Sequence, residues 1–308
     1  MRTCRFGDGE TVSSSNRSNS KPAPAASSAI FSLRPTAALQ PFVDRIWGWE
    51  SSGYTPAELP VLLPGTGAEV FFHEAAPFKH ILNDQIRTLE AAHLICVRHE
   101  PLPLVSDSKV RFVAVRFRAG AIHRFTHVPG RHLIDGTFSA TELWGRDATE
   151  LHQCLLNSRS IETKTEILQA FLLQKLDAGG TDPLVESAIG QIYARCTEIS
   201  IEDLTMEYGV SRRALERRFK ALTGQPPVEI RRLSRLQKVM RQLLLGNSTN
   251  LLDAVLDYGF YDQSHFYREF KSLGLGSPRR HIATARERTH FYKTPWSDGD
   301  KPTLSSMC

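Results

Sequence analysis

The chain has no run of 18 or more apolar residues, the length a membrane-crossing helix requires, so no span is expected. It also has no Cys-x-x-Cys pair. Cys4, Cys96, Cys154, Cys196 and Cys308 are odd in number and widely spaced, and no signal-peptide apolar core precedes Pro22, a pattern that fits reduced thiols in a cytoplasm. Catalytic signatures are missing too: there is no Gly-x-Ser-x-Gly elbow, no phosphate-cradling glycine loop and no Ser-His-Asp order. His123 and His127 are four apart and His132 follows, yet Arg124 stands where a metalloprotease needs Glu, and no His-x-His pair occurs. These histidines read as surface or hydrogen-bonded groups. No catalytic residue, metal or cofactor is expected.

What is present is a duplicated pattern. Of 308 residues, 41% are hydrophobic and 23% charged, enough for two domains. From Ile199 to His281 one pattern occurs twice, about 50 residues apart. In the first copy Ser200 is an N-cap with Asp203 three residues on, a capping-box variant, and Leu204 faces inward. Tyr208-Gly209-Val210 makes a turn, Ser211 caps a second helix, and Leu215, Phe219 and Leu222 form its buried stripe up to Thr223-Gly224. Two helices joined at a glycine turn form a helix-turn-helix.

The opposite face of the second helix carries Arg212, Arg213, Glu216, Arg217 and Lys220. Between Arg212 and Arg241 there are ten basic and two acidic residues, against a net charge of +5 for the whole chain. A charge run alone is usually a solvated face. Within a duplicated helix-turn-helix it points instead to guanine and phosphate contacts in a major groove.

The two copies, their spacing, Gly259-Phe260 with Asp262-Gln263-Ser264 and Phe266, Phe270-Lys271, and Ser277-Pro278 together resemble the DNA-binding domain of the AraC/XylS family of bacterial transcription regulators. The resemblance runs from Pro183 to about Arg286. It implies two helix-turn-helix motifs that set two recognition helices into successive major grooves. The chain departs from the family at Thr205 and Val255, where a small alanine is usual, and at Gly274 and Gly276, which flank the usual place of one glycine. The exposed helix faces offer DNA contacts at Ser211, Arg212, Arg213, Glu216, Arg217 and Lys220 in the first unit. In the second they offer Gln263, Ser264, Tyr267, Arg268 and Lys271.

Upstream, Arg45 to Glu50, Val61 to Leu63, Glu69 to His73, Ala92 to Val97 and Val110 to Arg118 read as strands, with Pro64-Gly65-Thr66-Gly67 and Ala119-Gly120 as turns. Five or more such strands predict a sandwich or small barrel. Leu33 to Trp47, the Pro64-Gly65 segment before Phe71-Phe72, and Arg116 to Ala121 resemble the sensor-like domain of one branch of the same family. No effector is implied by it. Trp47, Trp49, Phe71, Phe72 and Phe117 read first as core and second as the wall of an effector pocket.

The expected class is α+β. It comprises a disordered tail (1–30), a β-rich sensor domain (31–145), a helical connector (146–180), an all-α domain with two helix-turn-helix motifs (181–288) and a loose C-terminal tail (289–308). The connector's apolar face, Leu151, Leu155, Ile167, Leu168, Phe171, Leu172 and Leu176, fits either a dimer contact or packing on the sensor domain. Asp177 to Gly180 reads as a hinge, with Asp182 and Pro183 starting the next helix. A helix from Pro226-Pro227 to about Leu245 spans roughly 27 Å and can hold two readers near one DNA turn, roughly 34 Å, apart. The partners expected are double-stranded promoter DNA, RNA polymerase, a second copy of the chain and a small-molecule effector. The rival reading is a cupin-like enzyme tethered to a DNA-binding module.

Overall fold

The computed structural model describes residues 29–51, 59–82, 85–178, 180–245, 250–285 and 291. In chain order its strands are β1 (Ala29–Leu33), β2 (Val43–Glu50), β3 (Val61–Leu62), β4 (Glu69–His73), β5 (Lys79–Leu82), β6 (Gln85–Thr88), β7 (Ala92–Ile95), β8 (Leu102–Val105), β9 (Arg111–Phe117) and β10 (Thr137–Ser139). They pair antiparallel into a six-stranded sheet, ordered β1-β2-β9-β4-β7-β10, and a four-stranded sheet, ordered β3-β8-β5-β6.

Alternation along the strands sorts the residues into two layers. Trp47, Phe71 and Phe112 point into a core shared with Phe78, Leu62 and Leu104, whereas Ile46, Phe72 and Val113 point to the other face of the six-stranded sheet. Onto that second face pack α1 (Ala140–Trp144), α2 (Arg146–Asn157) and α3 (Ile161–Lys175). Leu151, Leu155, Leu168, Phe171 and Leu172 are buried there, with Ile167 and Leu176 against them. The connector's apolar face is therefore spent on its own sheet, the second of the two expectations. The five aromatics also divide: Trp47, Trp49 and Phe71 lie on the inner face, Phe72 and Phe117 on the outer.

At the termini, β1 begins at Ala29 and pairs Ile30 with Trp49, at the expected boundary of the N-terminal tail. Phe291, assigned to a loose tail, is 1% exposed and lies in the inner-face core. Trp296 lies outside the described residues.

The helices that follow are α4 (Pro183–Ala194), α5 (Ile201–Glu207), α6 (Arg212–Thr223), α7 (Pro227–Leu245), α8 (Leu251–Asp257), α9 (Gln263–Ser272) and α10 (Pro278–Ala285). Their seat on the β-rich domain is made close by glycines. A Cβ on Gly130 would lie 2.0 Å from the Leu222 carbonyl oxygen at the end of α6, and one on Gly65 would lie 2.4 Å from Gln237 Nε2 of α7. Polar contacts reinforce the joint: Thr66 Oγ1 bonds Gln237 at 3.1 Å, and Gln225 Nε2 lies 3.1 Å from His99 Nε2. Arg124 pins the segment before α4 from both sides, pairing with Asp177, whose φ is 70°, and with Glu186 at 3.1 Å.

Because the atom facing Gly130 is backbone, no rotamer change relieves the clash of a larger residue. Gly130→Ala is expected to weaken the joint by about 1–3 kcal/mol, the usual cost of overpacking. Calorimetry should then resolve separate melting of the β-rich and helical parts. An unchanged thermogram would contradict the tight seat.

Candidate nucleic-acid interface

Local rules build both units as the sequence predicts. Ser200 Oγ accepts from Asp203 N at 3.0 Å while the Asp203 carboxylate accepts from Ser200 N at 2.8 Å, closing the capping box. Ser211 caps α6 through Ala214 N at 3.2 Å, and Asp262 caps α9 through His265 N at 2.7 Å. The two turns share one backbone geometry. Gly209 and Gly259 have φ of 62° and 71°, and the amide after each reaches back to Thr205 O or Val255 O at 3.1 Å in both cases. The larger residues at Thr205 and Val255 are accommodated: Thr205 Oγ1 donates to Glu202 O at 2.8 Å, and Val255 is fully buried in the second core. Gly274 and Gly276 are both left-handed, with φ of 75° and 66°, so the last turn uses the two glycines together.

Each unit has its own core. Leu204, Leu215 and Phe219 pack with Val185, Ile189 and Ile192 of α4, and Ala254, Phe266 and Phe270 pack with Ile282. α7 joins them, giving Ile230 to the first core and Leu233, Leu236, Val239, Met240 and Leu243 to the second. As one continuous helix with residues in both cores, it holds the two units together.

Burial of Leu215 and Phe219 turns the other side of α6 to solvent. Ser211, Arg212, Arg213, Arg217 and Lys220 are exposed and Glu216 is half-buried. Arg213, Arg217 and Lys220 make no hydrogen bond or ion pair among the described residues. Arg212 differs: it bonds Glu216 at 3.1 Å and Glu202 of α5 at 2.8 Å, and these partners raise its pKa further. Glu202 therefore competes for that guanidinium with any phosphate that reaches it. Glu202→Gln is expected to steepen the log–log salt dependence of DNA binding by up to about one unit, the contribution of one added phosphate contact; an unchanged slope would mean that Glu202 does not restrain Arg212.

On α9 the equivalent face holds Ser264, Arg268 and Lys271, exposed, with Gln263 and Tyr267 half-buried. Gln263 lines a cleft of about 370 Å³ with Asn250 and Arg279. Tyr261, 86% exposed just before the α9 cap, was not among the sequence-predicted residues. Its signal was there: this turn is one residue longer than Val210-Ser211 in the first unit.

Other cations of the basic run serve the fold. Arg231 donates to Cys196 O at 3.0 Å, Lys238 to Ala194 O at 3.0 Å, and Arg235 to Tyr258 O and Gly259 O at 3.0 and 2.8 Å, all carbonyls at or beyond helix C-termini. Arg218 holds the α4 cap Asp182 through two bonds, which also keep that carboxyl below the usual carboxylate range. The count of ten basic residues therefore overstated the face available to DNA.

Among the described residues no group of three or more His, Cys, Asp or Glu is placed to hold a metal, and no helix is long and apolar enough to cross a membrane. His123 bonds Gly120 O and lies 3.1 Å from Glu186, across the joint between the two parts.

Two helix-turn-helix units, locked together by a shared helix, present an open cationic face on α6 to solvent. Residues 204–282 match the family described as a helix-turn-helix domain, and residues 32–139 match one described as a domain of unknown function, DUF6597. The helix-turn-helix domain thus lies behind a β-rich domain, each matched by its own family model. The chain is similar to ToxT from Vibrio cholerae, at 14% identity and a TM-score of 0.46 over 84% of this chain and 98% of that one. It is also similar to the xylose-binding transcription activator XylR, at 27% identity and a TM-score of 0.31 over 34% of this chain and 27% of that one. The DNA-binding domain of AdpA, the global transcriptional factor, solved with a target DNA, aligns at 25% identity and a TM-score of 0.31 over 35% of this chain and 96% of that one. No curated protein matches the chain.

Proposed function

We propose that the chain is a cytoplasmic regulator that reads promoter DNA with α6 and α9 in successive major grooves and does no catalysis of its own. The observation that carries this is the pair of equivalent turns, each presenting the N-terminal half of an exposed second helix. Ser211, Arg213, Arg217 and Lys220 supply most of the affinity, by phosphate contacts and one base contact, with Arg212 joining on release from Glu202 and Glu216 setting the position of Arg212. Gln263, Ser264, Tyr267, Arg268 and Lys271 add the second set, and Tyr261 lies beside them.

The β-rich domain, within about residues 31–145, senses an effector and passes its state to α6 through the Gly130–Leu222 seat. A second copy of the chain and RNA polymerase are the further partners. Leu156, Ile161 and Leu173, exposed on α2 and α3, offer apolar area for the former.

The test is selection of bound sites from random duplex DNA by the full-length protein at a fixed salt concentration. Two sequence blocks about one helical turn apart are the expected result. A single block would overturn the paired reading, and no enrichment with or without any ligand would overturn DNA recognition.

A further inference from the structure

The β-rich domain touches both helix-turn-helix units, each through its own set of contacts. At the first, Gly130 meets the Leu222 carbonyl at the end of α6, and a Cβ on Gly120 would lie 2.5 Å from Ile189 of α4. Ala119 packs on the core of this unit, and His123 and Arg124 each reach Glu186 of α4 at 3.1 Å. At the second, Leu63 is a buried member of the core that holds Phe266 and Phe270. Pro101 lies beside Gly274, one of the two left-handed glycines of the last turn: a Cβ there would stand 3.5 Å from Pro101 Cδ.

These contacts matter because α7 grips the two units unequally. It gives Leu233, Leu236, Val239, Met240, Leu243 and Leu244 to the second core, a continuous apolar seam, and Ile230 to the first. The first unit is held to α7 otherwise by the bonds from Arg231 and Lys238 to Cys196 O and Ala194 O. Its remaining support comes from the β-rich domain, and that joint is close-packed. The space left among Gly120, Gly130, Leu222 and Gln225 is about 10 Å³, the lower limit for a single water molecule. Interiors packed this densely transmit a displacement instead of absorbing it. The same domain is tied to α7 as well, where Thr66 Oγ1 bonds Gln237 at 3.1 Å.

We propose that the β-rich domain is a brace that fixes the spacing and angle of the two readers, so that a shift of this domain changes which DNA spacing the protein accepts. Residues 119–130 hold the first unit, and Leu63, Thr66 and Pro101 hold α7 and the second. One base pair adds about 3.4 Å and about a tenth of a turn between two blocks, so readers held more tightly than that accept one spacer length. This rests on the reading of α6 and α9 as paired DNA readers, and it adds what sets the distance between them.

The test reads that distance without DNA. Spin labels go on Met206→Cys and Leu256→Cys, exposed positions three residues before the turn glycine of each unit, in the full-length chain with Cys4→Ser, Cys154→Ser and Cys308→Ser. Cys96 and Cys196 stay, since both are buried. Electron–electron distances should form one narrow distribution in this parent. Gly130→Ala, which cuts the brace at the first unit, and Leu63→Ala, which cuts it at the second, should each at least double the width while circular dichroism keeps the parental helix content. Parental width in both overturns the proposal. Should both variants lose helix, Thr66→Val decides, because it removes one bond and no volume: a wider distribution supports the brace and an unchanged one overturns it. Site selection by the unlabelled proteins is scored separately. The wild type should enrich two blocks with one spacer length, and Gly130→Ala the same blocks with at least two. A single length kept by a variant whose distances widen would overturn the control of DNA spacing. Widened distances in a protein that selects no DNA would defeat the paired-reader reading and leave the brace standing.

Discussion

Phe270→Ala is expected to unfold the second helix-turn-helix unit while the first stays formed, and to cut the selected DNA site to one block. Phe270 is fully buried against Phe266, at a ring distance of 5.6 Å, and His281 of α10, at 5.8 Å. Truncating a buried phenylalanine costs about 3–5 kcal/mol through lost transfer energy and the cavity it leaves. α8 and α9 are 7 and 10 residues long, too short to persist without tertiary packing. The loss is therefore a large part of what holds this unit. The first unit has a separate core built on Leu204, Leu215, Phe219 and α4. Circular dichroism should report partial helix loss, and site selection should report a single block. A variant that keeps its helicity and both blocks would contradict the division of the cores.

Arg213→Ala is expected to weaken binding to the selected site by about 1–3 kcal/mol and to relax preference at one base pair. The reason is position. Arg213 lies in the first turn of α6, exposed, next to the Ser211 cap and with no partner among the described residues, so it gives up no internal bond on meeting DNA. Arg217 and Lys220 lie one and two turns further along the same face, where backbone contacts are expected. Their alanine variants should weaken all sequences alike and reduce the salt slope by about one unit each. Measured against the selected site and a scrambled duplex at several salt concentrations, a uniform loss for Arg213→Ala would reassign it to phosphate.

Both results depend on features that differ in how far they can be read from residues alone. The caps at Ser200, Ser211 and Asp182 and the turns at Gly209 and Gly259 are set by neighbours within a few positions, and they occur where the pattern puts them. Strands that alternate on a buried sheet, such as Glu69–His73, were legible for the same reason. β5, β6 and β8 were not. β6 is exposed along its whole length, and β8 contains Pro103, so neither carries the alternating signal of a central strand. The division of the basic run was equally hidden, because whether an arginine meets DNA or a helix-end carbonyl depends on a helix some 20 to 35 residues away.

The linear order of residues determined the two readers, their caps and turns, the exposed face of α6 and the β-rich character of the first part. These follow from local hydrogen bonding and from the period of apolar residues. Only the tertiary structure decided that the connector packs on its own sheet, that Gly130 seats α6 on the β-rich domain, and that Phe291 closes the inner face between Trp47 and Trp49. Each joins residues far apart in the chain. An apolar residue carries no label for which distant surface will bury it, and that choice is made by shape and by the polar contacts beside it, here Arg45 and Arg116 donating to the Phe291 carbonyl.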